Sequence, residues 1–311
     1  MPTSCHRLEL ENSPSARLAA VLVEEPRVGG ALLVGGGINE ANRADTWRFD
    51  GTLWTKVSSQ KESPNVMNAV ATPVGGGVVL FGSAYWHQSV GKREPGQTWI
   101  WEGRQWEQVG VDVGGPSARF HSSMAYYPPQ NSAILFGGGS APLGMGEVYN
   151  DTWTWSGDRW RQLDPRESPP GRVGSLLYWD SQLEGLVLLG GSDGLRVLDD
   201  IWLFRSGEWS RRDSDGTALP GVLGGWAVDP VSRLVAWYGG TPRNREERSR
   251  SEATELWIWD GESWYQELLS DGPGRRTLPM MSYVAATREV ILYGGVSHDP
   301  CGDTWRLTLR R

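Results

Sequence analysis

One motif recurs six times along these 311 residues: a short aliphatic or aromatic run that ends on glycine. The copies are Leu33-Val34-Gly35-Gly36, Leu80-Phe81-Gly82-Ser83, Leu135-Phe136-Gly137-Gly138, Leu188-Leu189-Gly190-Gly191, Trp237-Tyr238-Gly239-Gly240 and Leu292-Tyr293-Gly294-Gly295. A tryptophan in a short β-like run follows each one: Trp47, Trp99, Trp153, Trp202, Trp257 and Trp305. In the first five copies a second tryptophan stands seven residues further on, at Trp54, Trp106, Trp160, Trp209 and Trp264. The period of about fifty residues is that of a four-stranded β-propeller blade. Of the chain's 18 tryptophans, 14 fall in strands c and d, these eleven together with Trp101, Trp155 and Trp259, and need only a packing role.

The third copy shows how a blade is written. Residues 121–127 read as strand a, 132–136 as b, 151–155 as c and 160–163 as d, and Ser156-Gly157-Asp158-Arg159 forms the c–d hairpin turn. No segment reads as helix. The sixth copy lacks a strand d, because the chain stops at Arg311, where its second tryptophan would fall at the next position. At the other end, His6-Arg7-Leu8-Glu9-Leu10 followed by Ser13-Pro14 is written like Trp160-Arg161-Gln162-Leu163 followed by Ser168-Pro169. The N-terminal strand, about 5–10, is therefore expected to complete blade six and remove an open sheet edge. The expected register places Leu8 beside Trp305, Cys5 opposite Thr308 and Cys301 near Asn12, which separates the two thiols and leaves both free.

The hydrophobic run, the double glycine, and the aromatic residue and tryptophan spaced behind it resemble the kelch repeat. The resemblance covers the whole chain and includes the ring at the centre of galactose oxidase. It implies an all-β, six-bladed kelch propeller with four-stranded antiparallel blades, a single domain over 1–311. It also implies a binding module acting through its loops, since the ring uses nearly the whole sequence. The copper chemistry of galactose oxidase needs a cysteine-linked tyrosine and two histidines, and neither cysteine here is placed for it. No Cys/His/Asp cluster has metal-ligand spacing and no Walker-type loop follows the glycines, so neither metal nor cofactor is expected.

In such a blade the b–c and d–a connections leave on one face. The b–c segments, 38–44, 84–97, 139–150, 192–199, 241–254 and 296–302, vary in length, as loops that carry binding residues do. Just before strand a, a proline is followed three residues later by arginine in four copies, giving Arg17, Arg119, Arg172 and Arg276. Blade two has Met67 at the corresponding place and blade five has Leu223. Converging guanidiniums at a channel mouth would bind a carboxylate or phosphate. The alternative is structural: each arginine bonds loop carbonyls or pairs with the acid that heads strand c, Asp45, Asp151, Asp200 or Asp303.

His121 stands two residues after Arg119, where the other copies read Ala19, Ala69, Gly174, Gly225 and Leu278. A unique imidazole there is a candidate acid/base group or a satisfied core histidine. Blade two departs furthest from the repeat, and its loop residues Tyr85 and Trp86 are candidates for stacking on a ligand; His298 in blade six is a further candidate. The fifth b–c loop is densely charged with both signs.

The net charge is −7 and the 27 arginines are scattered, which argues against nucleic acid. Residues 1–10 lack the apolar core of a signal peptide, and no apolar run is long enough to span a membrane, so a cytoplasmic monomer is expected. Two functions fit. One is a binding module for a small anionic molecule or a protein partner on the b–c and d–a loops. The other is a cofactor-free isomerase, cyclase or lyase acting on an anionic metabolite, with His121 carrying the proton among the arginines.

Overall fold

The computed structural model describes residues 3–38, 41–42, 44–58, 63–83, 95–109, 114–141, 145–212, 221–242, 254–269 and 271–310. The fold is an all-β, six-bladed propeller built from four-stranded antiparallel blades. Among the described residues the one helical turn is a 3₁₀ turn at Pro128–Gln130. Blades are numbered here in chain order and their strands lettered a to d. The chain forms two compact units, one of Met1–Asn65 with Pro220–Arg311 and one of Val66–Leu219.

The first unit holds blades five, six and one. Blade five runs Gly225–Val228, Val235–Tyr238, Thr254–Trp259 and Trp264–Leu269. Blade six takes its strands a to c from Met280–Val284, Glu289–Tyr293 and Thr304–Thr308, and its strand d from Ser4–Leu8. Blade one is Val21–Glu25, Gly30–Val34, Thr46–Phe49 and Trp54–Ser58.

The N-terminal strand closes blade six as expected, but its register is one residue from the anticipated one. Leu8 lies opposite Thr304, Arg7 opposite Trp305 and Cys5 opposite Leu307. A one-residue slip turns every side chain of a strand over, so burial selects the register. As observed, Leu8 packs against the cluster that holds Trp54, Ile291 and Tyr293, while Cys5 packs against the one that holds Leu256, Tyr283 and Leu307. Both cysteines are free.

The second unit holds blades two, three and four. Blade two runs Met67–Val74, Gly77–Ser83, Gln97–Trp101 and Trp106–Val109. Blade three runs Ser123–Tyr127, Ser132–Phe136, Thr152–Trp155 and Trp160–Leu163, and blade four Leu176–Asp180, Gly185–Leu189, Ile201–Arg205 and Glu208–Arg212. Strands b are buried on both sides, with all five residues of Ser132–Phe136 and of Gly185–Leu189 buried.

The repeated tryptophans fasten neighbouring blades. The indole that opens strand d donates its N–H to the threonine at the start of strand c in the blade before it: Trp54 to Thr304 at 2.9 Å, Trp160 to Thr98 at 2.8 Å and Trp209 to Thr152 at 2.9 Å. Each indole thus buries a large apolar surface and satisfies its one donor in the same contact.

Candidate functional site

The four arginines share one environment, repeated blade by blade. Arg17 donates from Nη1 to the carbonyl oxygen of Gly35 at 2.9 Å and to Asp45 Oδ1 at 2.6 Å. Its Nη2 bonds Asp45 Oδ2 and the Ser15 hydroxyl, and its Nε bonds the Ser15 carbonyl. Arg119 repeats all five contacts on Ser117, Gly137 and Asp151, and its guanidinium also lies over the Tyr149 ring, 4.5 Å from the centroid. Arg172 holds Gly190, Asp200 and the Pro170 carbonyl, and Arg276 holds Gly294, Asp303 and the Pro273 carbonyl. A guanidinium has five N–H donors, so those of Arg17 and Arg119 are fully used. Arg17 and Arg172 are 0% exposed.

The carboxylates are completed from the other side by the strand c indoles. Trp47, Trp153, Trp202 and Trp305 donate to Asp45, Asp151, Asp200 and Asp303 at 2.6–3.0 Å. Burial disfavours the charged form of Asp45, Asp200 and Asp303. The arginine hydrogen bonds and charge, with the indole N–H, outweigh it and hold all three below the usual 3.8.

Blades two and five lack this unit, and their backbones correct the alignment drawn from sequence. Every blade has a residue at positive φ two places after the arginine position: Ala19, Asn68, His121, Gly174, Leu223 and Leu278. In blade two the arginine position is therefore Val66 rather than Met67, and in blade five Gly221 rather than Leu223. The pairing agrees, since Val222 bridges Thr241 as Phe120 bridges Gly139, and Val70 pairs with Phe81 as Ser123 pairs with Phe136. Both blades also lack the aspartate, having Gln97 and Glu255 in its place, so arginine and aspartate are gained and lost together. In blade five the indole of Trp237 takes over the carbonyl, donating to Gly239 at 3.3 Å, and a side chain at Gly224 would run into that ring.

Within each unit, positive-φ residues make a stretch of collar that links consecutive blades. Gly174 donates its N–H to the His121 carbonyl and Leu278 donates to that of Leu223, each at 2.8 Å. Just outside it, the second glycine of one blade bonds the arginine carbonyl of the next, as Gly138 does to Arg172 and Gly240 to Arg276.

His121 is half-buried, at φ +53, and burial pushes its imidazole down to about 4. Neither its ring nor the Asn68 carboxamide is among the buried polar groups left without a hydrogen-bond partner in the described residues. Cys5 is likewise shaped by burial, which pushes its thiol up to about 12 against the opposing charge of Arg276. His298 is exposed in the b–c loop of blade six. Tyr85, Trp86 and most of the charged fifth loop lie outside the described residues. Each of the four arginines is paired with an acid in its own blade.

Sequence reasoning missed two features. Asn68 shares the collar position of His121, which becomes visible once the repeats are aligned on φ. Leu195, on the b–c segment of blade four, is 96% exposed at the tip of an ordered turn. There Asp193 Oδ1 accepts the N–H groups of Leu195 and Arg196 at 2.9 and 2.8 Å, and Ser192 Oγ accepts that of Gly194. Met145, on the matching segment of blade three, is 78% exposed. The Ser-Asp-Gly sequence ahead of Leu195 is the signal that could have marked it, as a turn that ends on a large apolar residue.

No protein-family model matches the chain. Among the described residues, no helix is long and apolar enough to cross a membrane.

Proposed function

We propose that the chain is a kelch-type propeller of one domain, a cytoplasmic monomer, that works as a non-catalytic module docking a protein partner on its b–c loops. The observation that carries this reading is Leu195, a large apolar side chain held almost fully in solvent by a turn in which the N–H groups of Gly194, Leu195 and Arg196 are directed at the side chains of Ser192 and Asp193. Ordering a loop to expose a leucine gains nothing for folding, and a rigid apolar anchor is what a protein interface uses at its centre. Met145 on the adjacent blade adds a second, adaptable apolar contact.

The commitment of the guanidiniums to aspartates favours a protein partner over a small anion. An imidazole with a pKa near 4 is a weak base at neutral pH, which favours binding over proton transfer. The test is site-specific photo-crosslinking in the native cell, with the crosslinker at position 195, at position 145 and, as control, at Leu53, an exposed apolar residue of a c–d turn. A discrete protein adduct from 195 and 145 that is absent from 53 is expected. Equal labelling at all three, or none at 195, would remove the reading.

A further inference from the structure

The outermost strand of blade five is built unlike its counterparts. A strand at the end of a sheet presents a row of N–H and C=O groups to any incoming strand, and proteins blunt such edges by keeping them short or by placing basic side chains on them. Strand d carries Lys56 in blade one, Arg161 in blade three, Arg211 and Arg212 in blade four, and His6 and Arg7 in blade six, and in blade two it is four residues long. In blade five it is Trp264–Leu269, six residues without a basic side chain, and no described strand lies beyond it.

The side chains of this strand are also set for a contact. Tyr265 and Leu269 pack into the core cluster shared with blade six, so by strand alternation Gln266 and Leu268 stand on the opposite side. Leu268 is 72% exposed there, in a regular strand where it pairs with Glu255. At the start of the strand Trp264 keeps a buried Nε1–H with no hydrogen-bond partner among the described residues, where the indoles of Trp54, Trp160 and Trp209 each reach a threonine. The charge of the hairpin is one-sided: Glu255, Asp260, Glu262 and Glu267 lie within 254–269, and no lysine, arginine or histidine does.

We propose that the edge at 266–268 is a strand-addition site for an extended segment of another protein in which apolar and basic residues alternate. Main-chain pairing to the edge supplies affinity, and the alternation supplies the choice of partner. Cross-strand neighbours share a face, so the residue of the segment beside Leu268 is apolar and the one beside Glu267 is lysine or arginine. An acidic segment is disfavoured by the four carboxylates, and a second copy of this hairpin would set the same carboxylates against one another. This site does not rest on the docking of a partner at Leu195, and each can fail without the other.

The experiment is hydrogen exchange on the intact chain, read by NMR at the backbone amides of 264–269. The probes are three synthetic heptapeptides: one alternating valine and lysine, one alternating valine and glutamate, and the valine–lysine peptide with every amide N-methylated. The first is expected to bind saturably, to slow exchange along the edge, and to bind at least about tenfold more tightly than the other two. Leu268→Lys gives this edge the guard that the other blades carry, at an exposed position, and is expected to weaken binding about tenfold with the thermal melt unchanged. Glu267→Gln, which keeps the shape of the side chain, is expected to weaken it in the same direction. The proposal is overturned when no peptide slows exchange, when the glutamate or the N-methylated peptide binds as well as the first, or when binding is unchanged in both variants. Protection of the same amides without peptide as protein concentration rises also overturns it, since that assigns the edge to a second copy.

Discussion

Arg172 places its Nη1 2.6 Å from Oδ1 of Asp200 and 2.9 Å from the carbonyl oxygen of Gly190, so one guanidinium ties the loop before strand a to the end of strand b and the start of strand c. The pair is buried, and removing one partner leaves an uncompensated charge. Asp200→Ala is expected to cost about 3–5 kcal/mol in urea unfolding, and Arg172→Met a similar amount. The double variant Arg172→Met/Asp200→Leu should lose distinctly less than the sum of the two, because no charge remains unpaired. Additive losses would contradict a coupled pair.

The pH dependence of stability has two limbs of the same sign but different windows. Asp45, Asp200 and Asp303 have folded pKa values below the unfolded 3.8, so their contribution is complete above that value and lost as pH falls through the folded ones. His121 takes its proton near 4 in the fold and at about its ordinary 6.5 when unfolded. The unfolded chain is protonated first, so stability falls between those values on acidification. His121→Gly should flatten that limb and leave the loss below 3.8 in place, as read by denaturation midpoints across pH.

At neutral pH the same His121→Gly variant should fold at least as stably as the parent. The residue sits at φ +53, and relief of left-handed strain is worth about 1 kcal/mol. His121→Ala keeps the strain and should be the less stable of the two in thermal melts.

Gly224 is required by a neighbour rather than by its own backbone angle. A Cβ there would meet the Trp237 indole that caps the Gly239 carbonyl. Gly224→Ala is expected to cost about 1–3 kcal/mol by overpacking, and Trp237→Leu in the same chain to recover part of it. A Gly224→Ala variant as stable as the parent would show that the ring moves freely.

Leu195→Asp separates binding from folding. With the side chain 96% exposed, stability should change by no more than about 0.5 kcal/mol, while any partner adduct at position 145 is lost.

The repeat made much of this readable in advance. A strand bounded by a glycine pair and followed by paired tryptophans has few ways to pack, so the six blades, their strand order and the closure by Ser4–Leu8 follow from spacing alone. The register of that closing strand did not, because no tryptophan marks it and the choice depends on which side of Leu8 is buried. Blades two and five were misaligned by one and two residues for a related reason: φ at Asn68 and Leu223, not residue type, defines the position.

The amino-acid sequence determined the architecture, because hydrophobic periodicity, glycine turns and tryptophan spacing are local properties that each repeat carries in itself. The tertiary structure decided what the arginines are for. A Pro-x-x-Arg motif looks the same whether its guanidinium faces a ligand or an aspartate, and the distinction lies in contacts between residues 28 positions apart, as from Arg17 to Asp45 and from Arg172 to Asp200. Those charges are paired inside their own blades, which no local pattern in the sequence could show.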